Sequence, residues 1–139
     1  MVLLCTVLII EFAYFPIHLY ADSTRPYVRF EAAVRSALDT GLVRKHDTLN
    51  VFSITDKYIY VPVGHEYRFF LRKYGYEPKS EHDYATSDVL LIFSEDATVD
   101  IRKLTNWEID QFGKQYLSTA TRHKAGNNTV YIIRKTPLL

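Results

Sequence analysis

The sequence predicts an α/β fold: a small sandwich with a mostly parallel central sheet, an antiparallel C-terminal hairpin and one N-terminal apolar transmembrane helix. Three observations predict it. Phe30, Ala33, Val34, Ala37 and Leu38 recur at helical spacing and stop before Gly41. Val89-Leu90-Leu91-Ile92-Phe93 is an unbroken apolar run, the pattern of a strand covered on both faces. Two strand-like runs, 116–123 and 129–134, flank the turn-forming stretch Lys124-Ala125-Gly126-Asn127-Asn128. At 139 residues there is room for one domain with a real core.

The first element is residues 2–20, VLLCTVLIIEFAYFPIHLY, whose length approaches the roughly 20 residues that cross a bilayer. A secretory signal peptide would want a basic start and small residues at a cleavage site, and Met1-Val2 and Leu19-Tyr20-Ala21-Asp22 supply neither cleanly. A buried N-terminal core helix is the other alternative. Glu11 is costly against lipid, so it faces other helices or lies near an interface; the abrupt apolar start then reads as the last span of a longer, multi-span protein. Tyr14, Phe15 and Tyr20 suit an aromatic belt, where Pro16 is tolerated.

Residues 21–26 form a polar linker, and 27–139 the α/β domain. Pro26 suits the first turn of the helix that carries Phe30 to Leu38. Residues 48–55 (TLNVFSIT) read as a buried strand that Asp56-Lys57 ends, followed by a short extended piece over 58–63. A helix from about Glu66 to Tyr74 carries Tyr67, Phe70, Leu71 and Tyr74 on one face and is stopped by Gly75, as Gly41 stops the first. The polar stretch 77–87 leads to the strand at Val89, placed beside the first strand. Thr105 with Glu108 makes a capping box and Leu104 with Ile109 a hydrophobic staple, so a helix begins at Asn106 and ends near Gly113.

Composition excludes several functions. Seventeen basic against sixteen acidic residues leave a net charge of +1, so no overall field draws in nucleic acid. The clusters Arg44-Lys45-His46 and Arg72-Lys73 sit at helix ends, where a cation favours the macrodipole. Cys5 is the single cysteine and lies in the apolar segment, so the domain has no disulfide, thiol nucleophile or cysteine-based metal site. Glycine-rich phosphate loops, G-x-S-x-G and H-E-x-x-H are absent. His46, His65, His82 and His123 are scattered, whereas zinc needs three or four converging ligands. No catalytic set, metal site or cofactor is expected.

Ligands of open α/β sheets bind beyond the carboxyl ends of the strands. Those ends supply the candidate ligand-binding residues Ser53, Thr55, Asp56 and Lys57, then Ser94, Glu95 and Asp96, with Tyr58 and Tyr60 beside the first strand. Polar residues after strands are also what any loop contains. Tyr58, Tyr60, Tyr67, Tyr74 and Tyr76 could line a sugar-binding face, though tyrosines at helical spacing are commonly half-buried core. Asn127-Asn128-Thr129 fits the N-x-T glycosylation pattern, and turn chemistry alone accounts for both asparagines.

An apolar helix ending in an aromatic cluster, a short linker, a helix carrying F-x-x-A-V-x-x-A-L over residues 30–38, and then alternating strands and helices resembles the C-terminal region of multi-span lipid-linked-sugar glycosyltransferases, the dolichyl- or undecaprenyl-phosphate mannosyltransferase-like integral membrane proteins. The resemblance covers nearly the whole chain and rests on layout, with Phe30 to Leu38 and Val89 to Phe93 as its loose matching stretches. It implies a last transmembrane helix passing into a small extracytoplasmic α/β domain, with membrane lipid and the remaining transmembrane domain of a longer chain as partners. Catalytic acidic residues of that class lie in its first extracytoplasmic loop, so no catalytic residue carries over to this sequence. The expected role is accessory and non-catalytic; the alternative is a membrane-tethered binding module for a carbohydrate or protein partner.

Overall fold

A computed structural model of the chain describes residues 27–55 and 64–135. The apolar segment, the linker and the extended piece expected over 58–63 lie outside the described residues. Among the described residues no helix is long and apolar enough to cross a membrane.

Helix α1 spans Tyr27–Asp39 and buries Phe30, Ala33, Val34 and Ala37, the stripe its spacing predicts. The Gly41 N–H closes it on the Leu38 carbonyl at 3.1 Å, with φ of 69°. Strand β1 is Leu49–Ile54 and helix α2 is His65–Lys73. The end of α2 is a Schellman motif: the Gly75 N–H donates to the Arg72 carbonyl at 2.8 Å and the Tyr76 N–H to the Leu71 carbonyl at 3.0 Å. Strand β2, Val89–Ser94, is followed by a 3-10 turn at Ile101–Lys103 and the short helix α3, Trp107–Phe112. The expected capping box does not form, because Asn106 is the N-cap and makes no side-chain cap bond. The expected staple loses its register with the box, since Leu104 and Ile109 are not the residues flanking an Asn106 cap, although Leu104 packs against the cluster that holds Ile109.

The predicted strand over 116–123 is corrected in its first half. Lys114–Thr119 is 3-10 helix, in which the Ser118 and Thr119 hydroxyls donate to the Gln115 and Tyr116 carbonyls at 3.1 and 2.8 Å. Such local bonds compete with a strand ladder. Strand β3 is therefore Thr121–Ala125, joined to β4, Asn128–Arg134, by the two-residue turn Gly126-Asn127.

The sheet runs β1-β2-β4-β3. β1 and β2 are parallel, with Leu49 opposite Val89 and Ile54 opposite Ser94. β2 pairs antiparallel with β4, and β4 with β3, so the mostly parallel sheet expected from the sequence is in fact mostly antiparallel. An unbroken apolar run reports that both faces of a strand are covered; it carries no information on direction. β4 inserts between β2 and β3, and its apolar stretch 130–133 is as fully buried as β2.

Strands β1, β2 and β4 each feed two cores. Val51, Leu91, Phe93, Val130 and Ile132 face α1 and α2, where Tyr67 stacks on Phe93 at 4.0 Å and meets Phe30 edge-on at 5.1 Å. Phe52, Ile54, Leu90, Ile92 and Ile133 face Tyr84, Ile101, Ile109, Phe112 and Leu117. The result is three layers, helix, sheet and mixed helix, around four strands.

β1 reads as a central strand yet stands at the sheet edge. Its outer side is sealed by the segment after α2 in place of a fifth strand. The Lys79 N–H reaches the Leu49 carbonyl at 2.8 Å, the Tyr84 hydroxyl reaches the Val51 carbonyl at 2.7 Å, and Asn50 Nδ2 reaches the Ser80 carbonyl at 3.0 Å. Buried Arg68 knits these together through Asn50 Oδ1 and the Val51 and Lys79 carbonyls. An edge strand covered in this way has no open ladder.

Candidate functional site

From β1 the chain crosses to α2 on one face of the sheet, and from β2 it crosses to the 3-10 turn and α3 on the other. The carboxyl ends of this parallel pair are thus a topological switch point, the crevice in which open α/β sheets take ligands.

Ser53 and Ser94 lie there, both buried. Ser53 is covered by Gly64, whose φ of 62° and close approach leave no space for a side chain: a Cβ would sit 2.9 Å from Val51 Cγ1 and 3.2 Å from Ser53 Cβ. Thr55 is half-buried at the rim, and Asp56, Lys57, Tyr58 and Tyr60 lie outside the described residues. The Ser94 hydroxyl donates to the Asp96 carbonyl at 2.6 Å and accepts from the Asp96 N–H at 3.2 Å. Asp96 Oδ1 accepts from the Thr98 hydroxyl at 2.6 Å and its N–H at 2.8 Å, and these two bonds hold the carboxyl below its usual range. Ser94 and Asp96 thereby shape the loop that leaves β2.

Glu95 takes a different course. Its N–H donates to the Ile54 carbonyl at 2.9 Å, tying the two strand ends together, and its side chain is only 8% exposed, with Oε2 3.8 Å from Arg29 Nη2. Arg29 Nε donates to Asn128 Oδ1 at 2.7 Å, and Asn128 Nδ2 donates to the Tyr67 hydroxyl at 3.1 Å. The first turn of α1, the end of β2, the start of β4 and the first turn of α2 converge on this network. Chemically it is a hydrogen-bonding rim of one cation, one carboxylate, an amide and a phenol, each engaged with another. Comparison with known protein families, curated proteins and solved structures finds no match.

The described tyrosines of the candidate sugar-binding face do not form an open platform. Tyr67 is wholly buried. Tyr74 donates from its hydroxyl to Glu31 at 2.5 Å and accepts from Arg35 Nε at 2.7 Å, while Lys45 Nζ lies 4.6 Å over the Tyr76 ring. Two hollows lie elsewhere. One, of about 490 Å³, sits between the loop after β2 and β3 and is lined by Thr98, Asp100, Arg102, Ser118, Arg122 and Tyr131 among others. The other, of about 500 Å³, opens between the first turn of α1 and the first two turns of α2 and is lined by Tyr27, His65, Glu66, Phe69 and Phe70. Among the described residues no three His, Cys, Asp or Glu gather where they could hold a metal.

Arg29, Tyr67 and Asn128 are the members of the switch-point network that sequence reasoning missed. Asn128 is corrected from turn residue to buried strand residue: the turn is made by Gly126, with φ of 62°, and by exposed Asn127. A buried asparagine opening an otherwise apolar strand is the signal that was available, since a buried amide demands partners.

Proposed function

We propose that this chain is the accessory, non-catalytic C-terminal domain of an integral membrane glycosyltransferase that uses a lipid-linked sugar donor, held to the bilayer by residues 2–20. The observation that carries the reading is where the domain joins its anchor. α1 opens at Tyr27, directly after the linker, and two residues later Arg29 is bonded into the switch point. The start of α1 therefore lies at the ligand-taking end of the sheet, and the polar groups there are bonded to one another. A sheet end that lies beside the first described residue and is closed by its own bonds fits a domain that covers a neighbouring active site.

Reconstitution of the full chain in liposomes containing polyprenyl-phosphate mannose tests this. The chain is expected to stay with the bilayer through an alkaline wash and to transfer no mannose by itself. Release into the wash, or sugar transfer by the chain alone, overturns the reading.

The second reading, a membrane-tethered module that binds a carbohydrate or protein partner, is favoured by the hollow beside β3, whose volume of about 490 Å³ falls in the range of small-ligand sites. Calorimetric titration of the full chain and of Arg122→Ala with oligosaccharides separates the two: saturable binding lost in the variant supports the module.

A further inference from the structure

We infer that the first turn of α1 and the middle of α2 form the face by which the domain rests on the bilayer, with Tyr27, Val28 and Phe69 inserted at the boundary between headgroups and acyl chains. The inference rests on the membrane attachment proposed above and goes beyond it by naming the surface that meets lipid. Four large apolar side chains are exposed among the described residues, and three are these: Tyr27 is 72% exposed, Val28 74% and Phe69 60%. They are not frayed members of the core. Phe30, one turn on from Tyr27, and Phe70, the chain neighbour of Phe69, already fill the helix side of it, at 2% and 5% exposure, and Tyr27 and Phe69 are left at the surface. Tyr27, Phe69 and Phe70 also line one hollow, rimmed by His65 and Glu66, so the two helices present a joint, largely apolar surface, and Val28 stands next to Tyr27 in the chain. Single exposed apolar residues need no explanation, whereas a contiguous group at one end of a molecule marks an interaction surface.

The linker fixes which occupant fits. Seven peptide steps separate Tyr20 from Tyr27, so the two are no more than about 25 Å apart. A chain whose anchor leaves lipid at Tyr20 keeps this surface within reach of the headgroups throughout. Tyrosine and phenylalanine are the side chains that such a boundary takes up readily, an apolar ring below and, for tyrosine, a hydroxyl in the wet layer above. The fourth exposed residue, Trp107, belongs to α3 on the other side of the sheet and serves as an internal reference for a surface that faces water.

The test uses the full chain with Cys5→Ser and a nitroxide attached at Phe69→Cys, in vesicles of phosphatidylcholine with phosphatidylglycerol. A second preparation carries the label at Asp110→Cys, an exposed position of α3. Collisions with oxygen and with a water-soluble nickel chelate are expected to place the label at 69 about 5–10 Å below the headgroups, and the label at 110 in water. A label at 69 as open to chelate as the one at 110 overturns the inference, and so does a label at 69 shielded from both, which means that protein covers it. Flotation of the same vesicles keeps the two proposals apart. A chain that floats while label 69 is in water loses this inference alone, and a chain that does not float loses the membrane reading itself.

Discussion

Asp47 accepts both terminal nitrogens of Arg134, 87 positions away, at 2.6 and 2.8 Å, and adds the Arg44 N–H at 2.7 Å. Burial pushes this carboxyl up, but the bonds from Arg134 and Arg44 outweigh it and leave it below its usual range. A carboxyl lowered by folding contributes stability that is complete above its unfolded value and is lost as pH falls through the folded one. Asp47→Ala is expected to cost about 3 kcal/mol at pH 7, since it strands a half-buried guanidinium. In urea titrations at pH 7, 4 and 3 the gap between wild type and variant should narrow with each step; a constant gap would show that the pair is unimportant. Tyr84 has the opposite sign. Its buried phenol is pushed up to about 12, chiefly by burial, with the Arg68 guanidinium pulling the other way. Its contribution is complete below about pH 10 and is lost as pH rises through the folded value. Absorbance titration should find one phenol that ionises only with alkaline unfolding, and Tyr84→Phe should remove it at a cost of about 1–2 kcal/mol for the lost bond.

Two glycines separate backbone conformation from packing at the scale of elements. Gly41 and Gly64 have nearly the same φ, 69° and 62°, but a Cβ at Gly41 meets open space while one at Gly64 strikes the β1 side chains. Gly41→Ala is expected to cost about 1 kcal/mol for left-handed backbone alone. Gly64→Ala should cost roughly 1–3 kcal/mol more, for overpacking, as thermal denaturation will register; equal losses would mean that α2 shifts to make room. The same distinction explains which elements were legible. α1 carries its packing in its own period, and α2 in its period and its stop signal, so both could be read from the sequence nearly to the residue. Strand direction could not, because β2 and β4 are apolar on both faces whatever runs beside them. The split of 114–125 into a 3-10 turn and a strand depends on hydroxyls bonding three residues back, which a β-leaning composition conceals.

For the molecule as a whole, the sequence indicates which residues end the parallel strands but not which groups close that end of the sheet. Ser53, Ser94, Glu95 and Asp96 do meet at the switch point, since strand ends lie there by topology. Arg29, Tyr67 and Asn128 come from three further elements whose convergence no local pattern encodes. Asn128→Ala is expected to cost about 2 kcal/mol, because it removes partners from both Arg29 and Tyr67. It should also raise amide exchange at the start of α1 above that in the middle of β2; uniform exchange would show that the network does not join the helix to the sheet.

Among the described residues, only the β3 margin of the sheet lacks a covering segment. β1 is locked by Arg68, Asn50 and Tyr84, whereas no described strand lies outside β3, a short strip bearing Arg122, His123 and Lys124. Two copies that joined along β3 would make an eight-stranded assembly with a sealed border at either end. With β1 covered, the described strands of such a pair would offer no second margin to a third copy, and a ribbon of many copies, the usual hazard of an apolar sheet, would find no described edge on which to grow.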